Sequence, residues 1–278
     1  MLLIIGVIIG LVLGLTGAGG SVFAVPLLIL LAGMPVTNAI GVSLGAVAAS
    51  TIYGSLRNLL RKSAAPVLWK PGVIMASAGV VSAPVGKWIG VQLDDAWLIG
   101  GFTLLAILVA VRMWYSAIKN PKTADVVRAG NFAQVPSPGT LCRFSETGQF
   151  ELRMRCVNGL LIGGAAVGLL SGLFGVGGGF LIVPLLLILS SVTMAQAVST
   201  SVLMIALVSS SGFVSHLLLS GAQSPTQWAN LGLIALGGIV GMLLGQAISQ
   251  KIANARLQKI FAVCLILVSA TILARSFL

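Results

Sequence analysis

Two glycine clusters carry the chemistry this chain can do: Gly17-Ala18-Gly19-Gly20-Ser21 and Gly175-Val176-Gly177-Gly178-Gly179. Consecutive glycines cost about 1 kcal/mol each inside a helix, so each run marks a place where a helix stops. The residues after it restart a helix. A helix N-terminus offers free N–H groups and a positive dipole end, and both favour an anion. The clusters sit in a longer repeat. Residues 10–28 read GLVLGLTGAGGSVFAVPLL and residues 168–186 read GLLSGLFGVGGGFLIVPLL, at a constant offset of 158 positions. A Gly-rich break inside an apolar segment, present in both halves, points to a transporter binding site. The competing reading is helix packing, since small residues let membrane helices approach closely. Packing accounts for the small-xxx-small pairs Gly10/Gly14 and Gly168/Gly172, where a Gly10→Ala change should be mild. It accounts less well for the glycine runs.

The next segment of each half supplies polar groups. Asn38 and Ser43 fall on Gln196 and Ser201, with Thr37, Ser199 and Thr200 alongside. Capping is the alternative for Thr37 and Asn38, and back-bonding to the helix for the others. The candidate anion-binding set is therefore Gly17, Gly19, Gly20, Ser21, Asn38, Ser43, Gly175, Gly177, Gly178, Gly179, Gln196, Ser199, Thr200 and Ser201. His216, the only histidine, falls on Asn58. It reads either as an interfacial hydrogen-bonded residue or as a gate or proton-responsive group.

The absences narrow the class. The five carboxylates, Asp94, Asp95, Asp125, Glu146 and Glu151, fall in loops or the linker. A carboxylate proton relay is not available, and a cation would meet no counter-charge. A neutral site lined by glycine backbone and hydroxyls suits an anion. No HExxH, intramembrane Asp pair or nucleophilic serine with a histidine base occurs, so neither catalysis, a metal nor a cofactor is expected.

The elements that position these residues are membrane helices. The chain of 278 residues is 58% hydrophobic and 8% charged, whereas soluble domains carry about 25% charged residues. Apolar segments fall at 2–16, 21–33, 37–56, 72–91 and 96–117, then at 157–173, 179–190, 194–219, 228–249 and 257–275. The second of each half spans only ~20 Å as helix against a ~30 Å hydrocarbon core. With the first, it reads as a re-entrant hairpin or a sharply broken pair. The net charge of +11 clusters in loops beside spans, so it speaks of topology and not of nucleic acid. Arg57, Arg61, Lys62 and Lys70 follow the third segment of half one, while the equivalent residues 217–227 carry no charge. The next loop reverses this, with Lys87 against Asp94 and Asp95 in half one and Lys251, Arg256 and Lys259 in half two. Equivalent loops prefer opposite sides, so the repeats should be inverted, with the basic loops cytoplasmic and both termini outside.

The expected fold is an all-α polytopic membrane protein. Residues 1–118 form the first repeat, 119–156 a cytoplasmic linker and 157–278 the second repeat. The linker holds either a small β-hairpin around Gly148 or a disordered segment. The three cysteines give no disulfide framework. The N-terminus lacks a basic region and is reproduced internally at 159–172, so it does not read as a removable signal.

The doubled G-L-x-G-x-G-G-(G/S)…V-P-L-L motif, the serine-containing segment after it and the length resemble the TauE/SafE sulfite exporters, the TSUP transporters. The resemblance runs from Leu2 to about Leu273. It implies a bacterial inner-membrane carrier of sulfite, of sulfonates such as sulfoacetate, or of another small organic anion. In that family the segment after the motif often reads Gly-Thr-Ser. This chain has Gly41-Val42-Ser43 and Ser199-Thr200-Ser201, which implies that substrate leans on half two. The expectation is an exporter of a small sulfur-containing anion, driven by membrane potential, with the anion and the lipid bilayer as partners and a homodimer left open. A proton-coupled importer of a related anion and a non-transporting membrane scaffold are the alternatives.

Overall fold

A computed structural model describes residues 1–16, 19–60, 67–119, 154–190, 192, 194–220, 225–249, 260, 262–268, 270 and 271. The linker call, hairpin included, lies almost wholly outside these residues, as do Gly17 and Ala18. The described chain is helical. Helix α1 (Leu2–Thr16) leads through a 3₁₀ turn (Gly19–Phe23) into α2 (Ala24–Ala32), then α3 (Val36–Leu60), α4 (Trp69–Gln92) and α5 (Asp95–Lys119). The second half repeats the order with α6 (Met154–Phe174), α7 (Gly179–Leu189), α8 (Met194–Ser220) and α9 (Pro225–Ser249). Residues 262–268 are helical where α5 has its counterpart.

Among the described residues five helices, in α3, α4, α6, α8 and α9, are long and apolar enough to cross a membrane. The shorter α2 and α7 have 9 and 11 residues. Such lengths reach only ~14–17 Å at 1.5 Å per residue. The outward faces are apolar, with Ile52, Val81, Leu104, Ile162 and Leu236 all more than half exposed, as a lipid-facing surface requires. Trp69, Trp97 and Trp228 stand exposed in the first turns of α4, α5 and α9, where interfacial tryptophans belong.

The halves are interlocked. The first helix of each packs along the fourth helix of the other: α1 on α9, and α4 on α6. The small-residue stripes make this approach. Gly6, Gly10 and Gly14 meet the backbone at Ile234, Gly238 and Met242, and Gly164, Gly168 and Gly172 meet it at Met75, Gly79 and Ala83. Both pairs run parallel. No room exists for a methyl at Gly10: an added Cβ would lie 2.7 Å from the Gly238 Cα and closer still to its carbonyl oxygen. The packing reading of this stripe holds, and the expectation that alanine is tolerated there fails, because the contact is backbone against backbone.

The contacts also give the relation between the repeats. The equivalent helices α3 and α8 run antiparallel, with Gly41 against His216, Leu44 against Gly212 and Gly45 against Phe213. The two-fold relation is therefore perpendicular to the helices, the geometry of an inverted repeat. Helix α3 runs parallel to α9, through Gly45 beside Leu231 and Gly54 beside Met242. Since α1 is also parallel to α9, α1 and α3 point the same way. The 3₁₀ turn and α2 must carry the chain back between them, so α1 and α2 form a hairpin.

Two sequence readings change. Lys87 is not a loop charge: it lies within α4 and is buried. The turn between α4 and α5 keeps only Asp94 and Asp95, both exposed, so the charge contrast with Lys251–Lys259 is sharper than expected. Cys156, buried at the start of α6, is disulfide-bonded, and Cys264 is free and exposed. The partner sulfur lies outside the described residues, and three cysteines still give no framework.

Candidate functional site

Helix α6 ends at Phe174, and the chain breaks through Gly175, Gly177 and Gly178 with φ of 71°, 69° and 70°. An L side chain rarely adopts that left-handed backbone, which is why glycine stands at each position. Gly178 is the N-cap of α7 and no side chain caps the helix. The N–H groups of Leu181 and Ile182 turn back to the Gly178 carbonyl. Those of Gly179 and Phe180 belong to the first turn, which has no intrahelical acceptor. The whole break from Gly175 to Phe180 is buried.

Three helices hold it in place. Ser43 on α3 donates a hydrogen bond from Oγ to the Gly175 carbonyl at 2.8 Å, across the two halves. A Cβ added at Gly175 would lie 2.8 Å from the Ile40 Cα. On α8, the Ser209 Oγ stands 2.8 Å from where a Cβ of Gly177 would be. On α6, Ser171 lies below Gly178, and its carbonyl accepts the Gly175 N–H at 2.8 Å. The hydroxyls of Ser171 and Ser209 are fully buried, and among the described residues neither has a hydrogen-bond partner. An unmade bond of this kind costs about 1–3 kcal/mol.

The first-half break is different. Its 3₁₀ turn brings Gly20 against the α1 backbone at Val12 and Leu13, and Ser21 is fully buried. Ser171 has Leu13 as its counterpart. Ser209 has Thr51, whose Oγ1 donates to the Val47 carbonyl of its own helix at 2.6 Å. Ser201, the counterpart of Ser43, likewise turns back to Val198 at 2.8 Å.

The remaining candidates separate. Thr200 is buried and its Oγ1 accepts the Leu68 N–H at 3.0 Å, at the start of α4, so its hydroxyl positions a helix end. Gln196 and Ser199 are half-buried in the first turns of α8. Asn38 lines a cavity of about 100 Å³ with Met34, Val42, Gln227 and Asn230. His216 is buried at 3% exposure. Its ring lies on Gly41, in a water-sized gap shared with Phe213, Trp228 and Leu231. Val42 and Gln227 border both spaces, so the gap at His216 adjoins the cavity that Asn38 lines.

Sequence reasoning missed Ser171, Ser209 and Lys87. Signals existed for each. Ser209 is two helical turns before His216 and shares its face. Ser171 interrupts an apolar motif where half one has leucine. Lys87 is the one cation inside the apolar run 72–91.

Comparison with known proteins now decides the family. The model of the sulfite exporter TauE/SafE family matches residues 2–272. The chain belongs to that family. Relatives include proteins described as probable membrane transporter proteins. One, from Xylella fastidiosa strain 9a5c, is 30% identical over 98% of this chain and 94% of its own length. Another, YunE of Bacillus subtilis strain 168, is 26% identical over 98% of this chain and 96% of its own length. No solved structure matches. The protein is a multi-pass membrane transporter of the TauE/SafE type.

Proposed function

We propose that this transporter exports a small sulfur-containing anion, sulfite or an organosulfonate, and that the anion binds at the N-terminus of α7. The observation that carries the reading is the uncapped Gly177-Gly178-Gly179 end of α7. Backbone N–H groups and a positive helix end converge there. The family description supports the substrate class. Direction follows from electrostatics. An inside-negative potential drives a monovalent anion outward by about 2.3 kcal/mol per 100 mV, with no coupled ion required. Residues 1–118 and 157–278 act as the two moving repeats, with the linker between them, in an inner-membrane protein.

The test is anion flux in liposomes reconstituted with the purified protein, across sulfite, sulfoacetate, sulfate and thiosulfate, under an imposed potential. Flux of sulfite or sulfoacetate that follows the potential is expected. Gly177→Val, which adds a side chain at φ 69° against Ser209, should abolish it while leaving the protein folded. Wild-type flux in that variant would remove the site from α7. A second reading, proton-coupled uptake, is favoured by one observation: the buried His216, in a gap that adjoins the Asn38 cavity. Uptake that rises with a proton gradient and ignores voltage would favour it.

A further inference from the structure

Lys87 is 2% exposed, inside a helix that crosses the membrane. A buried ammonium is costly unless paired. Among the described residues it has no ion pair or hydrogen bond, and its nearest carboxylates in the chain, Asp94 and Asp95, are exposed. Its place in the fold is specific. The Lys87 backbone N lies 2.9 Å from where a Cβ of Gly172 would be, three residues before the break. The neighbouring contacts, Gly86 on Leu169 and Gly90 on Leu173, fix the same register of α4 on α6. His216 and Ser209 are seven residues apart and share one face of α8, the face that meets α3 and the break. Thus two buried hydroxyls without partners and an uncapped helix N-terminus meet at the half-two break, and a buried lysine packs on α6 three residues before it. Each is unfavourable alone, and one bound oxyanion would satisfy all of them.

We propose that Lys87 is the fixed counter-charge for the transported oxyanion, with the Ser171 and Ser209 hydroxyls as its side-chain hydrogen-bond donors. The repeat equivalents are Gly245 in half two for the lysine, and Leu13 and Thr51 in half one for Ser171 and Ser209, so the site is single and not doubled. A tetrahedral or pyramidal oxyanion, such as sulfite or the sulfonate head of an organic acid, offers three acceptor oxygens to these donors and the Gly179 and Phe180 N–H groups. The inference rests on the proposed anion site at α7.

Binding of radiolabelled sulfite to full-length protein in lipid nanodiscs tests it. Lys87→Met should weaken binding at least about tenfold, the scale of a charge-assisted bond, and Lys87→Arg should retain most of it. Ser171→Ala with Ser209→Ala should weaken binding severalfold. These alanines remove only buried hydroxyls, so they remain informative if Lys87→Met does not fold. Wild-type affinity in Lys87→Met, or in the serine pair when the lysine variant misfolds, overturns the proposal. Gly177→Val separates the two readings. If it abolishes binding while Lys87→Met and the serine pair bind normally, α7 holds the anion and Lys87 does not. If all of them bind sulfite as wild type does, the α7 site itself is wrong.

Discussion

Alanine at Gly10 is the sharpest test of how the halves are joined. An added Cβ would lie 2.7 Å from both Cα and C of Gly238, where ordinary contact begins at 3.4 Å. No flexible side chain can yield, so α1 and α9 must part by roughly 0.7 Å, a gap that forfeits a quarter to a half of each contact's attraction. Overpacking of this kind costs about 1–3 kcal/mol. Against it stands the helix-propensity gain of alanine over glycine, about 0.5–1 kcal/mol. The net effect should be a loss of up to about 2.5 kcal/mol. Gly232 on α9 is the control, because nothing lies within 4 Å of its added Cβ. There only the propensity term acts, and Gly232→Ala should be neutral or stabilising. Titration of purified protein from mild detergent into SDS, followed by tryptophan fluorescence, orders the three proteins. The expected order is Gly232→Ala at least as stable as wild type, and Gly10→Ala clearly below both. Equal midpoints for the two alanine variants would refute the backbone contact between α1 and α9.

Ser43→Ala should cost about 1–3 kcal/mol and lower transport, since it strands the buried Gly175 carbonyl. Ser201→Ala, whose bond stays within its own helix, should cost less in the same melts. For topology, Gln223→Cys in a background without native cysteines should label from outside and Ser63→Cys should not, as equivalent loops of inverted repeats require. Labelling of both from one side would contradict the antiparallel α3 and α8. His216→Asn, which matches Asn58 and cannot titrate between pH 5 and 8, should still transport, with flux that tracks an imposed potential. Binding without flux in that variant would favour proton coupling.

The architecture was legible where the signal is local. Apolar runs mark spans, a glycine run marks a break, and loop charge marks a side, each readable without knowing a neighbour. The repeat offset then gave the pairing of halves, and the antiparallel contact of Gly41 with His216 agrees with the charge argument. What stayed hidden depends on distant neighbours. Gly10 and Gly177 look alike in sequence, yet one meets the backbone of another helix and the other faces a serine hydroxyl. Thr200 read as a lining residue, but its hydroxyl serves the start of α4, 132 residues away. Lys87 read as a loop charge because a lysine near a span end is ordinarily interfacial; only the packing of α4 on α6 and α8 puts it inside.

The two breaks share a motif but not a chemistry. Inverted repeats supply two exchangeable conformations of similar energy. Symmetry alone would supply two equivalent anion sites as well. Here the half-one break packs Gly20 on its own α1, and the Thr51 and Ser201 hydroxyls bond back to their own helices. Among the described residues these two hydroxyls are already bonded. The half-two break keeps Ser171 and Ser209 unpaired and Lys87 beside it. On the reading proposed above, one break acts as a hinge and the other as the site. The conformational exchange is then symmetric while the cargo contact is not, and the potential acting on the bound charge, rather than any asymmetry of the hinge, fixes the direction of net flux.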